Sequence, residues 1–209
     1  MSRPRSTEAS LFRHCPYCAV PLVVERRDGR PRPTCPACGY IQYRNPVVGV
    51  AAILTEIEIV GLLGIDAVRA ATGQAPDPRG SRLLLGRRSV SPKGKFCLPC
   101  GYVEFDEDHR EALVREVAEE TGLIVVVEDL FAAHSNFHDP DRQSVGLWYR
   151  ARPVGGALRP GDDVDALILA RPENPGVALA FPTDGIVLAR LAEMEADPCR
   201  AAGPRSGEP

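Results

Sequence analysis

Residues 101–123 read GYVEFDEDHREALVREVAEETGL, and acidic residues dominate this stretch. Between Glu104 and Glu120 there are eight acids against two arginines. Asp106 can cap a helix, the acids that follow it suit the first turn, and Gly122 can close it. The pattern therefore predicts a helix over residues 106–121.

Three carboxylates on this predicted helix share one face. Glu116, Glu119 and Glu120 fall within an arc of about 100°. Each like-charged pair costs roughly 3 kcal/mol in a partly buried site, and Arg115 alone cannot offset all three. Either water fully hydrates this face or divalent cations lie on it, and clustered oxygen ligands suit Mg²⁺ or Mn²⁺. A different arc is apolar and can pack on a sheet, with Leu113, Val114, Val117 and Ala118.

The spacing around the helix resembles the box motif of the Nudix hydrolase superfamily. That motif has Gly, five residues, Glu, seven residues, then Arg-Glu-aliphatic-any-Glu-Glu-any-Gly-aliphatic. The resemblance covers about residues 46–196 and implies an α/β fold, an α/β/α sandwich with a mixed sheet. The activity it implies is hydrolysis of a nucleoside diphosphate linked to another group, by attack of water on the pyrophosphate. Every fixed position is matched, by Gly101, Glu107, Arg115, Glu116, Val117, Glu119, Glu120, Gly122 and Leu123.

The resemblance also implies roles for the acidic residues. Glu116, Glu119 and Glu120 would hold Mg²⁺ or Mn²⁺ as the catalytic metal. Arg115 and Glu107 would orient those carboxylates. The residue that activates water varies across the superfamily, and here either Glu119 or Glu120 is expected to be that base.

Two pairs of cysteines precede this region. Cys15-Pro-Tyr-Cys18 is followed, after sixteen residues, by Cys35-Pro-Ala-Cys38. This spacing predicts a four-thiolate Zn²⁺ site that is structural, because no position is left for water. An Asp28-Gly29 turn between the pairs predicts a β-hairpin, so the segment resembles a zinc ribbon. Such a ribbon precedes the Nudix domain in a known subset of the superfamily. Two redox CxxC pairs are the rival interpretation, but those normally begin a helix, which the prolines and the hairpin do not fit.

Arginines cluster at the predicted hairpin. A solvated hairpin tip explains them as well as a nucleic-acid contact does, so nucleic acid is the less favoured partner. The residues concerned are Arg26, Arg27, Arg30 and Arg32.

The segment after the box bears on the substrate. Ribbon-bearing relatives include NADH pyrophosphatases, which carry Ser-Gln-Pro-Trp-Pro-Phe-Pro there, and residues 134–142 lack that run. ADP-ribose or FAD is therefore favoured over NADH as the nucleotide-conjugate substrate. Two alternatives remain, a non-catalytic nucleotide sensor and RNA binding or cap processing by the same domain. The candidate substrate-binding residues are Arg87, Arg88 and Arg142 for phosphate and Phe137, Trp148, Tyr149 and Phe181 for stacking on a base.

Three features depart from the family pattern. Cys100 stands where a second glycine is usual and would be strained if its φ were positive; with Cys97 it forms a third CxxC. Residues 56–81 make a longer connection than the short hairpin expected there. A late acidic catalyst is in doubt, because Ala166 occupies the aligned position and the nearest acids are Asp162, Asp163 and Asp165.

Four segments are predicted along the chain. They are a disordered N-terminus (1–13), the zinc ribbon (14–44), the Nudix domain (45–197) and a disordered tail (198–209). Strands are expected at residues 47–54, 82–86, 124–127 and 145–152, and a last helix at 184–195. The pattern of the long connection is ambiguous: residues 57–63 could extend a hairpin and 66–71 could form a short helix, whereas 74–81 are expected to form a loop.

Composition excludes several classes. The net charge of −3 excludes a protein that coats nucleic acid through surplus Lys and Arg. No run of about 18 uncharged apolar residues exists, so no membrane partner is expected. The first residues lack the apolar region of a secretory signal, so a cytoplasmic location is expected, where thiols stay reduced. A homodimer is expected only from resemblance to relatives that dimerise.

Overall fold

The computed structural model describes residues 12–77, 81–139 and 142–196. The predicted disordered tail, Cys199 within it and residues 1–11 lie outside the described residues. The chain divides into two compact units, Met1–Pro46 and Val47–Pro209, which are described separately below. No helix in the described ranges is long and apolar enough to cross a membrane.

The first unit contains the predicted hairpin. Strand β1 (Val23–Arg27) pairs antiparallel with β2 (Arg30–Thr34). The two-residue turn between them has positive φ at both Asp28 (50°) and Gly29 (76°). This geometry matches the right-handed twist of the flanking strands, which is why Asp-Gly predicts such a turn.

The second unit contains two sheets. In chain order its elements are β3 (Val47–Ile53), α1 (Glu56–Leu63), α2 (Ile65–Thr72), β4 (Leu83–Arg88), β5 (Phe96–Cys97), β6 (Cys100–Tyr102), α3 (His109–Thr121), β7 (Leu123–Asn136), β8 (Ser144–Gly156), β9 (Val164–Ala170) and α4 (Pro182–Ala196). One sheet has the order β6-β3-β8-β7 and the other β5-β4-β9. The first sheet is mixed, because β3 is parallel to β8 and antiparallel to β6.

Strand β3 separates two apolar cores. Val50 and Ala52 pack in the core that includes Leu113 of α3 and Ile59 of α1. The alternate residues Ala51 and Ile53 pack in the second core. That core also receives Val187, Leu188 and Leu191 of α4. Because successive side chains point to opposite faces of a strand, the second half of β3 is buried on both sides, and the predicted α/β/α sandwich is confirmed.

The predicted start of the acidic helix is wrong by three residues. Asp108, not Asp106, is the N-cap, and its side chain accepts a hydrogen bond from the Arg110 N–H at 2.8 Å. Glu107 lies before the helix, where its carboxylate accepts a hydrogen bond from the Glu104 N–H at 3.2 Å. The helix therefore begins after Asp108, and both Asp106 and Glu107 precede it.

The long connection is helical where a hairpin was expected. Residues 57–63 lie in α1, and the short helix predicted at 66–71 is α2. The β-branched residues of this segment suggest a strand, but burial of Ile59 and Glu56 on one face stabilises a helix instead. Of the predicted loop 74–81, residues 78–80 lie outside the described ranges.

Two strands are longer than the sequence predicts. β7 continues to Asn136 and β8 begins at Ser144, and the two pair along most of their length. Residues 128–136 have weak strand propensity, so pairing with β8 decides their conformation. The longer strands bring Asn136 and Ser144 into the lining of a cavity.

Candidate active site

Helix α3 presents the three predicted metal ligands in different environments. The side chain of Glu119 is 47% exposed, that of Glu116 is 13% exposed, and Glu120 is buried. Glu120 accepts a hydrogen bond from the Cys100 N–H at 2.8 Å. Within the described ranges, these carboxylates are not gathered within 4.8 Å of one another.

Arg115 lies at the centre of the acidic cluster. Its Nε and Nη2 atoms bond both oxygens of Glu107 at 2.8 Å. Its Nη1 atom reaches Glu116 at 2.8 Å and Glu119 at 3.1 Å. A planar guanidinium is suited to this because its five donors form a rigid fork. Arg115 therefore bridges Glu116 and Glu119 and is itself held by Glu107.

Gly101 makes room for Glu116. A Cβ atom on Gly101 would lie 1.9 Å from the Glu116 Cδ atom, a distance no side chain tolerates. The carboxylate of Glu116 thus packs directly on the β6 backbone. The first position of the motif has to lack a side chain for this reason.

Burial shapes the electrostatics of the cluster. Burial is the largest cause that raises the pKa of Glu120 well above its ordinary value, and Cys97 and Asp163 nearby raise it further. Burial also raises the pKa of Glu116, although Arg115 opposes this. By contrast, the hydrogen bond from Arg115 lowers the pKa of Glu107. Both buried carboxylates therefore hold a proton more readily than a solvent-exposed glutamate does.

A cavity of about 750 Å³ opens beside these acids. Its volume lies within the range of small-molecule sites. Strands β3, β6, β7 and β8 all contribute to its lining, and so does the N-terminus of α4. Its charged lining residues are Arg88, Lys95, Glu104, Glu116, Asp139, Arg142, Asp162, Asp163 and Asp184.

Only some of the predicted substrate-binding residues line this cavity. Arg88 and Arg142 do, whereas Arg87 and Phe137 do not. Strand alternation explains the difference, because Arg87 points away and pairs with Asp165 at 2.6 Å. Phe137 is 70% exposed, while its neighbours on the chain, Asn136 and His138, line the cavity. The expected phosphate contact at Arg87 and the expected stacking at Phe137 are therefore not supported in this cavity.

Of the other three aromatic candidates, two line the cavity and one does not. Phe181 lines the cavity, with the Arg88 guanidinium 5.3 Å from its ring centroid. Trp148 also lines it, and its indole Nε1 donates to Asp184 at 3.0 Å. Tyr149 instead belongs to the first apolar core.

Sequence reasoning missed Asp184 as a site residue. This buried carboxylate accepts hydrogen bonds from Trp148 and from the Leu98 N–H (3.2 Å). Burial raises its pKa to about 6, although these two hydrogen bonds oppose the shift. The only local signal was an acid among apolar residues at the start of the last helix.

Two acids after β8 lie near the box motif, although the position aligned with the family's late acid is Ala166. The loop after β8 caps α3, because Arg159 and Gly161 donate backbone hydrogen bonds to Thr121 and Glu120. Asp162 and Asp163, which follow directly, line the cavity. Asp165 faces away and pairs with Arg87.

The third cysteine pair forms no cluster of three or more metal-ligating groups among the described residues. Cys97 is buried, Cys100 is partly exposed in the cavity wall, and both thiols are free. Cys100 is a strand residue without positive φ. The strain expected from a cysteine at this position is therefore absent.

In the first unit the four cysteines converge. Their Sγ atoms all lie within 4.8 Å of one another, and two pairs are 3.4 and 3.5 Å apart. A tetrahedral zinc site with Zn–S near 2.3 Å requires Sγ atoms roughly 3.8 Å apart. The Cys38 N–H is the largest cause that lowers the pKa of the Cys35 thiol, to about 6. The four thiols fit a structural Zn²⁺ ion.

Comparison with known proteins agrees with this geometry. The model of the NUDIX domain family matches residues 68–185, more than half of the chain. The chain belongs to the NUDIX family. Its NUDIX domain therefore contains α3, the acidic cluster and most of the cavity lining.

Individual relatives match over parts of their length. The ADP-ribose pyrophosphatase of Methanocaldococcus jannaschii is 40% identical over 87 residues, covering 41% of this chain and 52% of that protein. The NAD-capped RNA hydrolase NudC of Chromobacterium violaceum is 32% identical over 165 residues, covering 74% and 51%. The chain thus spans about half the length of these curated relatives. A crystal structure of a NUDIX hydrolase from Nitrosomonas europaea matches with a TM-score of 0.65 and 25% identity, covering 88% of this chain and 93% of that one.

Proposed function

We propose that this protein is a Mg²⁺- or Mn²⁺-dependent pyrophosphohydrolase of nucleoside diphosphate conjugates, with ADP-ribose favoured, FAD next and NADH less favoured. The observation that carries the proposal is the bridge of Arg115 between Glu116, which lines the cavity, and Glu119, with the buried Glu120 on the same helix. This arrangement keeps three carboxylates on one helix despite their repulsion.

The donor set fits a hard divalent cation. Glu116, Glu119 and Glu120 supply only oxygen ligands, and Mg²⁺ is commonly held by one or two carboxylates together with substrate phosphates. The carboxylates therefore need not form a closed cage in the protein alone. A bound Mg²⁺ or Mn²⁺ neutralises phosphate charge and lowers the pKa of water.

The protein's own residues would then position the reaction. Arg115 and Glu107 hold the carboxylates, as their fork of hydrogen bonds indicates. Arg88 and Arg142 in the cavity lining would contact phosphate oxygens. Either Glu119, which solvent reaches, or Glu120, whose pKa is raised, would accept the proton from the attacking water.

Two features of the cavity support an adenine nucleotide conjugate. The partly exposed Phe181 offers aromatic surface for a base, and the volume suits a ligand of that size. The M. jannaschii relative bears the name ADP-ribose pyrophosphatase. A homodimer stays a prediction.

A substrate panel tests the proposal. ADP-ribose, FAD, NADH, dinucleoside polyphosphates and capped RNA are incubated with Mg²⁺ or Mn²⁺, and products are identified by mass. We expect ADP-ribose to give AMP and ribose 5-phosphate only when the metal is present. Nucleotide binding without cleavage of any compound would favour a sensor, and cleavage of capped RNA alone would favour cap processing.

Glutamine variants separate the roles of the carboxylates. Glu120→Gln should lower kcat by about two orders of magnitude or more while keeping the fold, because its amide oxygen can still accept the Cys100 hydrogen bond. Glu119→Gln is assayed in parallel, and Mn²⁺ binding distinguishes a lost ligand from a lost base. Glu111→Gln, an exposed acid on the same helix, is the matched control. Near-normal turnover of Glu120→Gln at saturating Mg²⁺ contradicts the assignment.

A further inference from the structure

The two units of the chain carry opposite charge. Residues 1–46 contain eight arginines, no lysine and three acids, although the whole chain has a net charge of −3. The remaining residues therefore hold 17 basic against 25 acidic side chains. The first unit is therefore cationic, although the chain as a whole has a negative net charge.

The hairpin register concentrates that charge on one face. Arg27 lies directly opposite Arg30, and Glu25 lies opposite Arg32. Side chains at these alternate positions share a face of the two-stranded sheet. Like charges directly opposite each other destabilise a sheet, and Glu25 bonds only one of the three arginines, Arg27 at 2.8 Å. We name Arg27, Arg30 and Arg32, together with Tyr43, the basic face.

An aromatic ring belongs to the same face. The Arg32 guanidinium lies 4.6 Å from the centroid of the Tyr43 ring. Tyr43 is 54% exposed, and Arg32 Nε is a buried atom without a hydrogen-bond partner. The guanidinium lies over the ring, so a positive charge and an exposed aromatic side chain adjoin at this position. Tyr17 is a second exposed ring of the same unit, at 80%.

We propose that the basic face binds single-stranded nucleic acid. Bound phosphates would relieve the repulsion between the arginines. The release of counterions from those phosphates drives such binding. An exposed aromatic plane beside guanidinium groups accepts the face of an unpaired base of any sequence. An acidic peptide would satisfy the arginines but would make no use of the exposed part of the Tyr43 ring. The combination therefore selects a chain that carries both phosphates and bases.

The proposal concerns binding by the first unit and goes beyond the proposed hydrolysis. It is independent of which conjugate is cleaved, because binding is measured without turnover. Loss of hydrolysis would leave the binding result standing, and absence of binding would leave the hydrolase proposal standing.

Fluorescence anisotropy of the full-length, zinc-loaded chain with a labelled single-stranded RNA provides the test. We expect binding at 50 mM salt with a slope of log K against log salt of about −2, since three contacted phosphates contribute about −0.7 each. The combined variant Arg27→Gln, Arg30→Gln and Arg32→Gln should weaken binding at least tenfold and flatten the slope. Tyr43→Leu should weaken binding about tenfold and leave the slope unchanged.

Matched controls isolate the basic face. Arg26→Gln lies on the opposite face of the same hairpin, and Arg69→Gln with Arg152→Gln lies on the second unit; each should change affinity less than twofold. Zinc content and thermal unfolding verify that every variant is folded. Absence of binding, equal losses in the controls, or equal binding of polyglutamate or anionic vesicles would overturn the proposal.

Discussion

At Gly101 a single missing Cβ atom decides where a carboxylate can lie. The Glu116 carboxylate occupies the space that any side chain at position 101 would need. Gly101→Ala should therefore displace Glu116 and weaken Mn²⁺ binding about tenfold or more, with little change in thermal stability, because Glu116 can rotate toward solvent. Calorimetric titration with Mn²⁺ measures the effect. Gly61→Ala, in a helix with no atom near its Cβ, is the control, and equal Mn²⁺ affinity in both variants would refute the steric argument.

Asp184 should make stability depend on pH. Because burial raises its pKa to about 6, the folded state binds the proton more tightly than the unfolded chain does. This contribution is fully present below pH 4 and is lost as the pH rises through 6. The unfolding free energy of the protein relative to Asp184→Asn should fall by about 3 kcal/mol over this range.

Trp148 offers an independent measurement of the same titration. It is the only tryptophan of the chain, and its indole N–H bonds Asp184. Its fluorescence should change with a midpoint near pH 6 in the native protein and lose that transition in Asp184→Asn. If neither the stability difference nor the Trp148 fluorescence changed between pH 4 and pH 8, Asp184 would not titrate in this range.

Among the elements, α1 is anchored to β4 by a buried ion pair. Glu56 accepts hydrogen bonds from Arg82 at 2.6 and 2.9 Å and from the Asp77 N–H at 2.7 Å. Arg82→Gln leaves the Glu56 charge buried without its cation and should destabilise the fold by about 3–5 kcal/mol. Denaturant unfolding measures this.

The double variant distinguishes a charge effect from lost packing. Adding Glu56→Gln to Arg82→Gln removes the unpaired charge, so it should recover a large part of the lost stability. A double variant as unstable as Arg82→Gln alone would mean that packing, not charge, holds the helix. Helix α1 is thus held by this ion pair and by the burial of Ile59, whereas α2 is held by the burial of Val68, and Gln74 after it exchanges hydrogen bonds with the Leu169 backbone.

For the whole molecule, zinc should matter to one unit and not to the other. About 35 described residues of the first unit cannot bury enough apolar surface to fold without the ion. The second unit has two apolar cores of its own. Chelation should release one Zn²⁺ per chain and expose residues 12–46 to protease, while the second unit stays folded.

Cysteine variants provide the matched comparison for zinc. Cys35→Ser should lower the zinc content sharply, whereas Cys97→Ser should leave it at one per chain, because Cys97 lies outside the four-thiol cluster. Equal zinc loss in the two variants would contradict the ribbon site. Elemental analysis of the purified variants measures the content.

Local patterns were sufficient for much of the second unit. The period of α3 placed part of its apolar and acidic faces correctly, since Leu113 and Val117 are buried and Glu119 is exposed. Ala118 of the predicted apolar arc is exposed, however, and Glu120 of the acidic arc is buried. The apolar run that begins at Val47 was correctly expected to be buried from Val50 to Leu54, whereas Val47 and Val48 are exposed. Such features depend on residues a few positions apart, and hydrophobic periodicity records them directly. The N-cap at Asp108 and the helix α1 were missed because adjacent residues offered an equally plausible local choice.

The amino-acid order alone specified the NUDIX motif, the convergence of four thiols and the layered α/β class, because each depends on short spacings or on burial patterns within one element. Only folding decided that Arg88 lines the cavity while Arg87 does not, and that Asp184 bonds a backbone N–H 86 residues earlier in the chain. Those outcomes depend on strand register and on the closure of long loops. No local pattern records the energies of contacts between residues so far apart in sequence.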